Sequence, residues 1–262
     1  MTTDPAEVLA QHLAREPVHR ALIRSMEHRL FAEETLVRPI LDLGCGDGHF
    51  AALTFPAGIE IGLDLTWAAV AEGRANGPYR HTDIADGTRL PYADAAFRTV
   101  VSNCVIEHIP GIEGLVAEVA RVLAPGGRFV FSVPNERFTD SLFTVGWLKQ
   151  LGLKGLAARF GRWWNANAAH FNLDAPDVWR ARLARHGLTI VRQTPYMSDA
   201  AVRALELTHY YAAPSLIWRK LSGRWTLRPQ HVRRSFAFRW LLPYVAEPWP
   251  EVGACSFYVA RK

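Results

Sequence analysis

The residues best suited to bind a charged ligand form one short stretch, Leu41-Asp42-Leu43-Gly44-Cys45-Gly46-Asp47-Gly48. An apolar run leads into closely spaced glycines, which allow positive φ and let the backbone approach a ligand. A further carboxylate, Asp64, ends the next apolar run about 20 residues later, where doubly wound folds place the acid that accepts hydrogen bonds from ribose hydroxyls. The spacing therefore predicts a site for a ribose-containing ligand.

The acids around this turn argue against a dinucleotide. In the dinucleotide fingerprint G-x-G-x-x-G the third glycine comes three positions after the second. Here Gly48 comes only two positions after Gly46, which is one position early. Asp47 would lie near the place of a pyrophosphate, and Asp42 adds a second acid before the turn. Carboxylates at these positions suit a ligand that carries positive charge, such as a sulfonium and an amino group.

The elements that must position this turn alternate along the chain. Helices are predicted at 5–35 (divided at Pro17), 66–74, 112–123 and 175–186, and strands at 40–43, 60–65, 79–82, 98–103, 128–133, 188–192 and 254–260. Strands that alternate with helices favour a parallel sheet covered on both faces.

Together these motifs resemble the class I S-adenosylmethionine (SAM)-dependent methyltransferases, in particular the broad type-11 group. Besides the glycine turn, the residues that carry the resemblance are Ile61-Gly62-Leu63-Asp64-Leu65, His81-Thr82-Asp83-Ile84, Leu90-Pro91-Tyr92-Ala93-Asp94-Ala95-Ala96-Phe97, Glu107-His108-Ile109-Pro110 and Arg121-Val122-Leu123-Ala124-Pro125-Gly126-Gly127. The resemblance implies an α/β, Rossmann-like fold with a seven-stranded, mostly parallel sheet whose last strand is antiparallel. It also implies SAM as cofactor, S-adenosylhomocysteine as product and no metal.

The resemblance also implies a domain organisation. Residues 1–262 would form a single SAM-dependent methyltransferase domain with its SAM-binding core at 36–134. The segments 135–170 and 195–253 match none of the family's motifs. We expect them to be insertions that form a helical cap and bind the substrate.

Individual contacts to SAM follow from the same resemblance. The implied contacts are Gly44, Cys45 and Gly46 around the methionine part, Asp42 near its amino group, Asp64 at the ribose hydroxyls, Leu65 against the adenine, Asp83 at the adenine amino group, Ile84 at a ring nitrogen through its backbone, and Asn103 at the methionyl end.

Three further side chains, Glu107, His108 and His170, are candidates for catalysis. Methyl transfer from a sulfonium is an in-line displacement, which requires a base only if the nucleophile must lose a proton. His108 follows the fourth predicted strand and titrates near pH 7, so it is a candidate general base; alternatively it packs on the cofactor. His170 either lines the acceptor pocket or is a structural residue at a helix entry.

The second half of the chain differs in charge from the first. Residues 1–134 hold 11 Lys and Arg against 17 Asp and Glu, whereas residues 135–262 hold 19 against 8 and eight of the nine tryptophans. The interleaved tryptophans, leucines and cations of 141–164 predict either a lid over an apolar acceptor or a helix lying on a membrane surface. The basic, aromatic run at 218–234 leaves RNA methylation open as an alternative.

We expect a small-molecule acceptor, an oxygen or nitrogen on a partly apolar or acidic metabolite. A SAM-binding protein without methyltransferase activity is the alternative from another class. Three widely spaced cysteines, Cys45, Cys104 and Cys255, favour a reducing cytoplasm. Neither an apolar leader nor a membrane-spanning run is expected, because no stretch of about 18 apolar residues occurs.

Overall fold

The chain forms two compact units. The computed structural model describes the backbone of residues 2–222 and 229–262 and the side chains of 2–211 and 231–262. The helical unit comprises residues 1–33, 137–167 and 195–254. The sheet unit comprises residues 34–136, 168–194 and 255–262. Each predicted insertion thus falls largely within the helical unit, together with the N-terminal helices.

The helices and strands of the described residues are numbered in chain order. The helices are α1 (Pro5–Arg15), α2 (Val18–Ala32), α3 (His49–Thr54), α4 (Trp67–Asn76), α5 (Ile112–Val122), α6 (Phe138–Ser141), α7 (Phe143–Gln150), α8 (Lys154–Asn167), α9 (Pro176–Arg185), α10 (Asp199–Ser222) and α11 (Phe236–Ala246), with short 3₁₀ helices at Ile106–His108 and Pro229–Arg234. The strands are β1 (Ile40–Leu43), β2 (Ile59–Asp64), β3 (Tyr79–Ile84), β4 (Phe97–Asn103), β5 (Leu123–Pro134), β6 (Thr189–Tyr196) and β7 (Cys255–Arg261).

These strands form a seven-stranded sheet in the order β3-β2-β1-β4-β5-β7-β6. The pairs from β3 to β5 are parallel, and β7 runs antiparallel to β5. The central strand β1 is buried along its whole length, which is why it reads as an apolar run that only Asp42 interrupts. The predicted Rossmann-like fold with an antiparallel last strand is confirmed.

One predicted boundary differs from the structure. The helix α5 ends at Val122, and β5 already begins at Leu123, which pairs with Phe97. The sequence Pro125-Gly126-Gly127 therefore lies within the first part of β5 rather than between helix and strand. The register of β4 against β5 shifts between Phe97 and Thr99, so these glycines accompany an irregularity in the sheet.

The helical unit contains the elements that the sequence predicted least well. Helices α1 and α2 are separated at Pro17, as predicted, because proline has no N–H for a helix interior. The long helix α10 lies in the segment predicted to form a helical cap, but its bounds were not predicted, because its described part buries the polar residues Glu206 and Thr208. No helix within the described ranges has the length and hydropathy to span a bilayer.

Four histidines of the helical unit lie in two close pairs. His12 Nδ1 lies 3.0 Å from Glu16 Oε1, and His12 Nε2 lies 3.2 Å from His28 Nδ1. The rings of His19 and His209 stack with their centroids 4.1 Å apart. Burial lowers the pKa of His28 to about 4, with His12 adding to the effect. Burial likewise lowers the pKa of His19 to about 3, and the neighbouring His209 lowers it further.

These pKa shifts predict that the protein loses stability in mild acid. Since the folded protein resists protonation of His19 and His28 while the unfolded chain accepts protons near pH 6.5, each proton favours unfolding. The stabilisation is complete above about pH 6.5 and is lost as the pH falls towards about 4. Thermal melting between pH 7.5 and pH 4.5 should show Tm falling over this interval.

The variant His19→Phe tests the cause. It keeps a flat ring against His209 but removes one titrating group, so its Tm should fall less steeply with pH than that of the unmodified chain. The exposed His81 provides the control, because His81→Phe should leave the slope unchanged. Equal slopes for all three proteins would contradict the assignment to His19.

Candidate active site

A cavity of about 400 Å³ opens in the sheet unit at the carboxyl ends of β1 and β2. Ligands of open α/β sheets bind at this edge, and the volume suits a small molecule. Its lining comprises Leu43, Gly44, Leu63, Asp64, Leu65, Ala85, Asp86, Gly87, Thr88, Val105, His108, Ile109, Pro110 and Gly111. The cavity therefore brings together four of the predicted residues: Gly44, Asp64, Leu65 and His108.

The glycine turn forms one wall of this cavity. The backbone N–H groups of Gly44 and Cys45 both donate to the Leu63 carbonyl, at 2.8 and 2.9 Å, and so tie the turn to β2. Gly44 has φ +82°, and a Cβ atom there would lie 2.4 Å from Val105 Cγ1. Glycine is thus required at this position both by the backbone conformation and by the lack of space.

The carboxylate of Asp64 is held at the end of β2 by two backbone groups. Its Oδ2 accepts from Gly46 N–H at 3.0 Å, and its Oδ1 accepts from Leu65 N–H at 2.8 Å. Because each carboxylate oxygen has two lone pairs, both can still accept a ligand hydroxyl. The side chain of Leu65 is 68% exposed and offers an apolar surface directly beside this carboxylate.

Two other predicted acids lie outside the cavity lining and are each bound by a tyrosine. Asp42 is buried, and its Oδ2 accepts from the Tyr79 hydroxyl at 2.6 Å. Asp83 Oδ2 accepts from the Tyr92 hydroxyl at 2.9 Å. Burial, together with the neighbouring carboxylate, raises the pKa of each phenol, so both tyrosines remain protonated donors. Neither tyrosine was predicted from the sequence as part of the site.

The remaining predicted cofactor residues surround the same edge of the sheet without lining the cavity. Burial raises the pKa of the Cys45 thiol, and the charges of Asp42 and Asp64 raise it further, so Cys45 is not a thiolate nucleophile. Asn103 is buried at the end of β4, where its Oδ1 accepts from the Ser132 hydroxyl at 2.5 Å. Ile84 is exposed at the end of β3.

His108 lines the cavity from the end of a 3₁₀ helix. Its Nδ1 is 3.1 Å from the Ala169 carbonyl oxygen. Because a carbonyl only accepts, Nδ1 carries the proton and Nε2 is the basic nitrogen of the neutral ring. Nε2 lies 3.6 Å from Glu107 Oε1, and this carboxylate would stabilise a proton taken up on the ring.

His170 lies beside His108, with the ring centroids 5.5 Å apart. Burial lowers the pKa of His170 to about 4, and His108 lowers it further, so His170 is neutral at physiological pH. Its ring packs against that of His108 and does not line the cavity. The structure therefore brings His170 next to His108 but does not place it on the cavity wall.

A loop contact that the sequence did not reveal positions the 3₁₀ helix. Phe171 and Asn172 donate their backbone N–H groups to the Glu107 carbonyl, at 2.8 and 3.2 Å. The buried Asn172 side chain also donates from Nδ2 to the Ile109 carbonyl at 2.7 Å. Ala169 has φ +52°, a conformation that alanine adopts rarely. The loop thus fixes both the segment that carries His108 and the carbonyl that orients its ring.

The side chains of Glu107, His108 and His170 are also the one group of three metal-ligand types found close together in the described part of the chain. One donor atom from each lies within 4.8 Å of the others. Two imidazoles and a carboxylate can hold a divalent cation in principle. The Nδ1 of His108 is engaged with the Ala169 carbonyl, and its Nε2 faces Glu107.

The fold, the glycine turn and Asp64 can be compared with known proteins. A family model described as a methyltransferase domain matches residues 12–193, which is more than half of the chain. The chain belongs to the family of class I SAM-dependent methyltransferases. Membership in this family implies SAM as the cofactor.

Two relatives of this methyltransferase illustrate the range of the similarity. A trans-aconitate 2-methyltransferase of Methylobacterium radiotolerans is 32% identical over 159 residues, which is 55% of this chain and 60% of that protein. A malonyl-acyl-carrier-protein O-methyltransferase of Legionella pneumophila is 34% identical over 189 residues, 69% of this chain and 57% of that protein. The chain thus spans somewhat over half the length of these relatives.

The solved structures agree on the fold. A SAM-dependent methyltransferase from Mesorhizobium loti superposes with a TM-score of 0.55 at 18% sequence identity, covering 92% of this chain and 98% of that chain. At this identity the likeness concerns the fold alone. The family assignment predicted from the sequence is confirmed by the family model, and the individual residue roles stay predictions.

Proposed function

We propose that this methyltransferase transfers the methyl group of SAM to an oxygen or nitrogen of a small, partly apolar or acidic metabolite. One observation carries the proposal: His108 lines the same cavity as Gly44 and Asp64. A basic nitrogen and the two residues expected to hold the cofactor therefore border one volume of about 400 Å³. Bound SAM would supply a methyl group already activated by the sulfonium charge.

The residues at the sheet edge would hold the cofactor. The free lone pairs of Asp64 suit the ribose hydroxyls, and the exposed Leu65 suits one face of the adenine. The backbone of Gly44 lines the cavity and suits the methionyl part, flanked by Cys45 and Gly46. The predicted set is completed by Asp83 and Ile84 at the end of β3, Asn103 at the end of β4 and Asp42 within β1.

The protein's own contribution to the reaction would be alignment, exclusion of water and proton transfer. Holding two reactants in line can lower a barrier by about 7–11 kcal/mol. His108 Nε2 would take the proton of the nucleophile, because the Ala169 carbonyl holds the other nitrogen protonated. Glu107 would stabilise the resulting imidazolium, and His170 would keep the ring in place.

The acceptor class is supported by the apolar part of the cavity lining. Val105, Ile109 and Pro110 contribute to this apolar part. The names of both relatives specify acids, trans-aconitate and a malonyl group, as methyl acceptors. An acceptor that combines an apolar part with an acidic or hydroxyl group fits both observations.

The test has two stages. Calorimetric titration should show micromolar binding of SAM and S-adenosylhomocysteine, and none of NAD. Release of S-adenosylhomocysteine should then be measured with carboxylic acids, phenols, amines and total RNA as acceptors. We expect turnover with a small acid or phenol. Binding without turnover on any acceptor would favour the non-catalytic alternative, and binding of NAD alone would contradict the proposal.

Two further arms address the alternatives. Turnover on RNA alone would favour RNA methylation; the side chains of 218–222 and all of 223–228, on which that reading depends, lie outside the described residues. EDTA is included because Glu107, His108 and His170 have the donor types of a metal site. Activity that EDTA abolishes and a divalent cation restores would replace the general-base role by a metal-binding one.

A further inference from the structure

Helices α7 and α8 of the helical unit bury few side chains and expose several large apolar ones. The only residue of α7 that is buried is Val145, and those of α8 are Ala157 and Gly161. A Cβ atom at Gly161 would lie 2.6 Å from Thr139 Cγ2, so this face of α8 is in close contact with α6. The two helices therefore pack through small residues, whereas helices of globular proteins normally bury their large apolar ones.

The large apolar side chains of the same segment are exposed. All eight residues from 149 to 156, which run from the end of α7 into the start of α8, are exposed. The six large apolar residues that are between 43% and 55% exposed are Phe143, Trp147, Leu151, Leu153, Leu156 and Trp163. Contiguous exposed apolar residues of this size mark surfaces that bind a partner or a membrane.

Cations accompany these apolar residues, and acids do not. Lys149, Lys154, Arg159 and Arg162 are all exposed. Lys149 forms an ion pair with Asp140 at 3.0 Å, but no aspartate or glutamate occurs in the sequence from 141 to 173. We call these four cations and the six apolar residues the α7–α8 surface. Its charge is uniformly positive within the segment itself.

We propose that the α7–α8 surface binds peripherally to membranes that carry anionic lipid headgroups. Tryptophan is enriched at the interface of a bilayer, where its ring is apolar and its N–H remains hydrated. The exposed leucines at the tip could enter the acyl region while the cations contact the headgroups. A protein interface would instead be depleted of lysine at its centre, where Lys149 and Lys154 lie among the leucines.

The surface is argued independently of the cavity in the sheet unit, so methyl transfer and membrane binding can be tested separately. The full-length chain would be sedimented with vesicles of phosphatidylcholine alone and of phosphatidylcholine mixed with phosphatidylglycerol. We expect binding to the mixed vesicles only, weakened by added salt, because surface charge attraction is screened. Quenching of tryptophan fluorescence by brominated lipid would report insertion.

Two double variants test the two components of the surface. Trp147→Ser with Trp163→Ser should abolish quenching by brominated lipid and weaken vesicle binding at least about tenfold, because two apolar anchors are lost. Lys154→Glu with Arg159→Glu should weaken binding to the mixed vesicles by a similar factor. Since all four side chains are exposed, the variants should keep the melting temperature and SAM affinity of the unmodified chain.

Matched controls lie in the sheet unit. Trp67 is 72% exposed at the start of α4, and Trp67→Ser should leave vesicle binding unchanged. Arg74→Glu with Arg98→Glu reverses the same number of exposed charges elsewhere and should reduce binding far less. Equal binding to both vesicle types, or full binding by both test variants, would overturn the proposal. Self-association that the tryptophan variant abolishes, without vesicle binding, would assign the surface to a second copy instead.

Discussion

Replacing Asp64 by alanine should weaken SAM binding about a hundredfold or more. The carboxylate accepts from the backbone N–H groups of Gly46 and Leu65, so its loss releases the glycine turn from the end of β2. It also removes the acceptors proposed for the ribose hydroxyls. Hydrogen bonds to a charged group contribute about 1.5–3 kcal/mol each, so losing two amounts to at least about 3 kcal/mol. Calorimetric titration with S-adenosylhomocysteine measures the effect without turnover.

Two further variants make this experiment specific. Asp64→Asn keeps one oxygen acceptor without the charge, and its affinity should lie between those of the unmodified chain and Asp64→Ala. Asp94→Ala is the matched control, because the Asp94 side chain is 80% exposed and pairs with Arg121 away from the cavity lining. Normal affinity in Asp64→Ala would show that the ribose is bound by other groups.

The sheet could be predicted from the sequence because its signals are local. Strand β1 is buried throughout, so four consecutive apolar or acidic residues followed by glycine already indicate a central strand running into a ligand turn. The helix–strand alternation from β1 to β5 reflects the same physics, since parallel strands need covering helices. The resemblance of the motifs then supplied the number of strands and the antiparallel direction of the last one.

The helical unit could not be predicted to the same degree. Helix α10 buries Glu206, whose carboxylate accepts from the Thr144 backbone N–H at 3.2 Å, a residue 62 positions earlier. A buried acid of this kind interrupts the apolar periodicity that identifies a helix in a sequence. In α7 and α8 several large apolar residues are exposed. The usual rule that the apolar face of a helix is buried would therefore place the wrong face of these helices in the interior.

The contacts that complete the site are equally nonlocal. Tyr79 reaches Asp42 across 37 residues, and the Ala169 carbonyl reaches His108 across 61. No spacing rule connects such pairs, because the fold alone brings them together. The sequence singled out the glycine turn, Asp64 and His108, which belong to recognisable local motifs. It missed Tyr79 and Asn172, whose partners are distant along the chain, and also Tyr92, whose partner Asp83 is nine residues away.

Replacing His108 by alanine should slow methyl transfer about a hundredfold while leaving SAM affinity nearly unchanged. His108 lines the same cavity as Asp64, and its Nδ1 donates to the Ala169 carbonyl, so Nε2 is the basic nitrogen of the neutral ring. General bases contribute about 10²–10⁴-fold to a rate, and a phenol or amine acceptor needs one. Single-turnover measurement with saturating SAM separates the loss of rate from any loss of binding.

His108→Asn distinguishes a base from a positioning residue. Its amide can still donate to the Ala169 carbonyl but cannot take up a proton at physiological pH. A general-base role predicts that this variant is as slow as His108→Ala. Recovery of rate in His108→Asn would mean that His108 only orients the segment. His186→Ala, a half-buried histidine paired with Glu113 outside the cavity lining, should keep full activity. Unchanged turnover in His108→Ala would mean that the nucleophile arrives without a proton to lose, as a carboxylate does, and would assign the acceptor to that class.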